Sequence, residues 1–219
     1  MRDTAAVIEH ICQAFGGNSF PGAGFLQGSF EGCEPYEAIR PFQTQHAWRD
    51  LDAAFLDAHA DALSLFSEAA FRFFLPGYLM ADVEGQLRVA DPVFHLTHGF
   101  AETAVQVATL GHVFIMRSGK SAFINPRRYG AMTWYEYARY RLSVFTREEA
   151  SAIVAYLEFT RDARPHSVDP AAIDGALQGF WWERAQTAPV AERLQQHLAE
   201  QDVYLAAMHA ASQERQSPP

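Results

Sequence analysis

Residues 62 to 80 read ALSLFSEAAFRFFLPGYLM, and the reading of this stretch decides the fold. Ser67 stands where a hydroxyl can accept from an unpaired backbone N–H of a following helix, and Phe71, Phe74, Leu75 and Tyr78 then recur at helical spacing. An aromatic face of that size has to be buried, so the pattern predicts a core helix that begins at Ser67. Phe66, just before the cap, is placed to pack on Phe71 as a hydrophobic staple. Pro76 lacks the donor that a mid-helix hydrogen bond needs and Gly77 adds backbone freedom, so a kink or break is expected there. The start signal recurs at residues 142 to 149, LSVFTREE, where Thr146 is the cap and Glu149 can close a capping box. Ile153, Val154 and Leu157 supply the apolar stripe of that second helix.

Working outward, residues 4 to 15 fit a short amphipathic helix with Val7, Ile8, Ile11 and Phe15 on one side, ended by Gly16-Gly17. The glycine-rich, aromatic stretch from Asn18 to Cys33 reads as irregular backbone docked by its phenylalanines. Trp48, Leu51, Phe55 and Ala58 recur at helical spacing and predict another amphipathic helix. Between residues 85 and 140 two readings stand. His112–Met116 and Ser121–Ile124 could form a hairpin about Arg117-Ser118-Gly119-Lys120, while Ala101–Met116 also fits a helix. Asp169 before Pro170 marks a further helix start, followed by Ile173, Leu177, Phe180, Trp181 and Arg184; there Trp181 is expected in the core and Trp182 partly exposed. Pro189 opens a last helix to about residue 212, and Arg215 to Pro219 should fray.

The chain has 219 residues, 49% of them hydrophobic, which is ample for one core with an appended element. Its formal net charge of −9 favours solubility and weighs against general binding to nucleic acid or an anionic membrane surface. Cys12 and Cys33 form no Cys-x-x-Cys pair and read as reduced thiols. Asp3, Glu9 and His10 interrupt any leader-like apolar run, and no uncharged stretch is long enough to span a bilayer, so a cytoplasmic protein is expected.

The runs Ala62–Leu79, Phe94-His-Leu-Thr97 and Arg141-Leu-Ser-Val-Phe-Thr-Arg-Glu-Glu149 resemble a bacterial domain-of-unknown-function family with Leu-Phe-Ser/Thr helix starts and a Phe-Leu-Pro segment. The resemblance covers about residues 5 to 160 and implies a compact, mainly helical domain. It brings no catalytic residues. On that footing residues 1–165 form the domain, about 99–140 an insertion, 166–212 a helical extension packed on the same body, and 213–219 a disordered tail.

Chemistry-bearing residues are sparse. His95 and His98 lie three apart, a spacing that can present both imidazoles to one metal, but a site needs a third ligand, for which His112, Glu102, Asp91 or Cys33 would have to fold into place. Gly119-Lys120-Ser121 fails as a phosphate loop because Phe114 stands where its first glycine belongs. Neither a Gly-x-Ser-x-Gly elbow nor a dinucleotide fingerprint is present, and no cofactor is implied. Asp57 and Asp61 read as a solvated acidic face. The sharpest anomaly is residues 117 to 141, with Arg117, Lys120, Arg127, Arg128, Arg139 and Arg141 against Glu136 alone, interleaved with Tyr129, Trp134, Tyr135, Tyr137 and Tyr140. Arg127, Arg128, Trp134, Tyr137, Arg139 and Arg141 are the candidate binding residues, since arginine and aromatics anchor protein interfaces and also bind polyanions. Pairing of these arginines with the acidic body is the structural alternative.

These residues predict a mainly α-helical domain with a small β-hairpin. Three functions remain open. The first is a protein-binding module, such as an inhibitor or immunity-type partner of a basic protein. The second is an enzyme with a dispersed site including His95 and His98, as metal ligands or acid/base groups. The third is polyanion or nucleic-acid binding through residues 117 to 141.

Overall fold

The computed structural model describes residues 3–30, 34–109, 112–124 and 131–188, together with 194, 198–199, 202–208 and 210; the side chains of 103–118 are outside the description. Helices dominate: α1 (Thr4–Phe15), α2 (Glu34–Ile39), α3 (Ala53–Ala58), α4 (Ala62–Leu65), α5 (Glu68–Val83), α6 (Pro92–Thr97), α7 (Trp134–Arg141), α8 (Arg147–Ala163), α9 (Pro170–Ala176) and α10 (Trp182–Thr187). Strands β1 (Glu102–Thr109) and β2 (His112–Gly119) pair antiparallel, as do the short β3 (Phe123–Ile124) and β4 (Met132–Thr133). The fold is therefore mainly α with small antiparallel pairs, as the sequence predicts. No helix among the described residues is long and apolar enough to cross a membrane.

Helix α5 is the centre of the core. Ser67 Oγ accepts from the Ala70 N–H at 3.1 Å and donates to the Phe25 carbonyl at 2.6 Å, so one hydroxyl caps the helix and docks the glycine-rich loop. That loop lies close enough to form a bridge between Gln27 and Phe66, and Gly28 is required there because a Cβ would sit 2.4 Å from the Phe66 carbonyl oxygen. Of the kink or break expected at Pro76, the break does not occur: α5 runs through it to Val83. Proline removes one backbone bond, and burial of nearly the whole helix outweighs that loss. Gly77 serves close packing instead, since a Cβ there would meet the Trp48 carbonyl at 3.0 Å. The expected staple also has another partner. Phe66 stacks on Phe74 at 5.1 Å, while Phe71 turns to Phe145.

Helix α8 starts with the predicted box. Thr146 Oγ1 accepts from the Glu149 N–H at 3.2 Å, and Glu149 Oε2 accepts from the Thr146 N–H at 2.8 Å. Glu149 also accepts from Arg72 Nε at 2.8 Å, joining the two motif helices through an ion pair whose carboxylate side chain is 1% exposed. At the other end Asp82 of α5 accepts from Arg164 Nη1 at 2.9 Å and from the Tyr156 hydroxyl, both on or just beyond α8. Burial, the Asp82 charge and the hydrogen bond to it push the Tyr156 hydroxyl well above its usual range, so it stays protonated as a donor.

Three further readings change. The amphipathic run 48–58 is split: Trp48–Asp50 is a 3₁₀ turn, and α3 begins only after Asp52, whose carboxylate accepts from the Phe55 N–H at 2.7 Å. The helix over Ala101–Met116 is overturned by the register of β1 on β2, which pairs Glu102 with Gly119 and Thr109 with His112. The hairpin accordingly turns between Thr109 and His112 instead of about Arg117–Lys120, and Phe123–Ile124 pairs with Met132–Thr133. Asp61 is exposed, as the acidic-face reading expects, while the partly covered Asp57 also accepts from the backbone N–H groups of Arg88, Val89 and Ala90 at 2.8–3.0 Å. Desolvation raises its carboxyl, and the three backbone donors overcome that and hold it below the usual range.

Helices α9 and α10 pack against α6 and α8. Asp169 caps α9 through the Ala171 N–H, a π-helical stretch spans Leu177–Trp181, and the fully buried Trp181 donates to the Leu96 carbonyl at 2.9 Å. Trp182 is 40% exposed, as its position next to the core residue implies. Positions 194 and 205 are buried and helical, whereas the proposed start at Pro189 and the tail from 213 lie outside the described residues.

Candidate functional site

His95 and His98 meet three of the candidate binding residues, Trp134, Tyr137 and Arg141. His95 lies in the last turn of α6 and His98 caps its end, donating its N–H to the Phe94 carbonyl at 2.8 Å. Gly99 follows with φ +92°, a conformation that lets the chain reverse against α7; a Cβ there would lie 2.8 Å from the Trp134 carbonyl and 3.0 Å from Ala138. That close approach sets the end of α6 against the first turn of α7. Thr133 and Glu136 form a capping box at this turn, fixing where Trp134 and Tyr137 emerge.

Between the two helices is a cavity of about 290 Å³ lined by Phe94, His95, His98, Trp134, Tyr137 and Arg141, with Ser64 at its edge and Ala138 and Leu142 at its base. The His98 ring lies 4.7 Å from Phe94, tilted by 31°, and 4.7 Å from Trp134, edge to face. Trp134 is in turn 5.7 Å from Tyr137. Phe94 is 49% exposed and forms part of the mouth. The walls are thus aromatic and the polar groups few, the usual balance of a small-molecule pocket.

Electrostatics within it are one-sided. Arg141 donates from Nη2 to the Leu63 carbonyl at 2.6 Å and lies 4.8 Å from the Phe71 ring centroid. Among the described residues no carboxylate pairs with it, whereas Arg72, Arg139, Arg147, Arg161 and Arg164 each pair with at least one. Burial, then the Arg141 charge, then His98 push the His95 imidazole down to about 3. Burial lowers His98 too. Both rings are neutral at pH 7, each with one N–H donor and one acceptor nitrogen.

The remaining sequence candidates go elsewhere. Arg139 turns to the π-helical segment, donating to the Gly179 carbonyl at 2.9 Å and approaching Glu183 at 3.5 Å, which is the pairing with the acidic body described above. Arg127 and Arg128 lie outside the described residues, as do Cys33 and the side chains of His112 and Arg117. Of the other donors considered for a metal, Asp91 caps the far end of α6 through the Phe94 N–H and Glu102 accepts from the Ser121 N–H. Among the described residues no group of three or more His, Cys, Asp or Glu side chains comes together. Sequence reading missed Phe94 and Ser64 as cavity residues; Phe94 carried a signal, being a large aromatic beside His95 on a short helix.

Comparison of the chain with protein-family models, with curated proteins and with solved structures finds no match.

Proposed function

We propose that the protein binds a small, planar, largely apolar molecule in the cavity between α6 and α7. The observation that carries this reading is the convergence of His95, His98, Trp134, Tyr137 and Arg141 on one aromatic-walled space of about 290 Å³, at the lower end of the size range of ligand pockets. Aromatic walls favour a flat ring by stacking and edge-to-face contact. The neutral histidines suit recognition better than acid/base catalysis. An imidazole pushed down to about 3 keeps its single N–H for hydrogen bonding but has no imidazolium proton to give up as a general acid near pH 7, and it is a weak base there.

The inhibitor-type reading rests on surface charge alone, whereas the cavity adds geometry, and ligand binding is therefore the better-supported function. Calorimetric titration with 2-naphthamide and 2-naphthoate tests it. The expected result is saturable binding of at least one probe with one site, abolished by Ser64→Trp. Ser64 lines the cavity and is exposed, so a large ring there competes for the space without replacing a core side chain. Absence of saturable binding, or binding indifferent to Ser64→Trp, contradicts the proposal.

A further inference from the structure

We infer that the ligand of this cavity is an anion, a planar aromatic or conjugated carboxylate whose charged group is held by Arg141 and whose ring lies among Phe94, His98 and Trp134. The inference rests on the ligand-binding reading above and specifies its chemical class. Three observations carry it.

The first is the unpaired cation. A guanidinium presents five N–H donors in a flat fork, and Arg141 directs one nitrogen to the Leu63 carbonyl while its Cζ lies over the Phe71 ring. Arg184 also meets no carboxylate among the described residues, but its donors are taken up by the Ser143 and Phe145 carbonyls, whereas Arg141 has a single carbonyl partner and lines a cavity. Bidentate contact with a carboxylate is the geometry that such a fork best satisfies.

The second is the company it keeps. Cavity residues Ser64, His95, His98 and Tyr137 carry O–H or N–H donors, and no Asp or Glu lines the space, so nothing there repels a negative charge. A ligand cation would face Arg141 without a counter-charge, and a neutral ligand would leave the guanidinium desolvated and uncompensated. The third is shape. The rings of Phe94 and His98 lie 4.7 Å apart at 31°, and Trp134 stands edge-on to His98 at 77°, forming an aromatic corner that fits a flat ring but offers nothing specific to a flexible aliphatic chain.

Titration of the 219-residue chain with three probes of one shape tests this: 2-naphthoate, its neutral amide 2-naphthamide, and the cationic 2-naphthylmethylammonium. The expected order is naphthoate at least tenfold tighter than the amide, with the ammonium weakest. Arg141→Gln should bring naphthoate to the affinity of the amide, and Arg141→Lys should retain part of the preference. Equal or tighter binding of the amide by the unaltered protein overturns the anion inference while leaving the ligand-binding reading intact. Failure of all three probes to bind overturns both. The comparison on the unaltered protein decides the matter even if the Arg141 variants fold poorly.

Discussion

Arg72 and Arg141 are both partly buried arginines, one on each of two helices that contact the core phenylalanines, and their surroundings are opposite. Arg72 meets Glu149, whose carboxylate also closes the capping box of α8, so charge, hydrogen bonds and helix start are all satisfied inside the protein. Arg141 has a carbonyl and an aromatic face but no carboxylate among the described residues, and it borders a cavity. The difference separates scaffold from site. A charge completed by the chain itself holds elements together, and a charge left incomplete beside empty space is available to something that enters.

The most damaging way to break this comparison is Glu149→Ala. It removes the partner of Arg72 and one half of the capping box together, and should cost about 3–5 kcal/mol in chemical denaturation. A loss under about 1 kcal/mol would mean that the pair is not structural.

Acid separates the two regions next. The folded state holds His95 neutral because its imidazole is pushed from 6.5 down to about 3, while the unfolded chain takes up the proton below 6.5. The unfolded state therefore binds more protons in that window, and stability, complete above 6.5, falls as the pH drops through it. Roughly 2.5 kcal/mol should be lost from this group between neutrality and about pH 4.5, and His95→Gln should remove that part of the slope. An unchanged slope in the variant would show that His95 is protonated in the folded protein.

Arg141→Gln should cost about 1–2 kcal/mol, from the bond to Leu63 and the contact with Phe71. No buried carboxylate is stranded, so the loss stays below that of Glu149→Ala; a larger loss would place Arg141 in the scaffold. Arg147→Ala sets the floor. Its pair with Glu148 joins side chains 64% and 63% exposed, and denaturation should shift by less than about 0.5 kcal/mol.

Much of the scaffold is legible in sequence because it is written in local chemistry. Ser67, Thr146 with Glu149, and Asp169 before Pro170 each cap the helix that their spacing announces, since a cap is satisfied within three residues of itself. Trp181 and Trp182 separate into core and surface as helical periodicity requires. What escapes is what depends on a distant partner. Helical spacing over 48–58 says nothing of Asp52 capping a shorter helix, and an alternating apolar run between 101 and 124 does not state which strand pairs with which. The site shows the same division. His95 with His98, and Trp134, Tyr137 and Arg141, are each visible as chemistry-bearing residues, but their meeting depends on Gly99 admitting the backbone of Trp134 within a distance that a side chain would forbid. Arg139, only two residues from Arg141, faces away because two positions along a helix are about 200° apart.

The most direct measurement is a crystal structure of the protein with 2-naphthoate bound. The account predicts the carboxylate within hydrogen-bond distance of the Arg141 guanidinium and the ring system in the corner formed by Phe94, His98 and Trp134. A ligand seated elsewhere, or one in the cavity with its carboxylate turned away from Arg141 toward solvent, would contradict it.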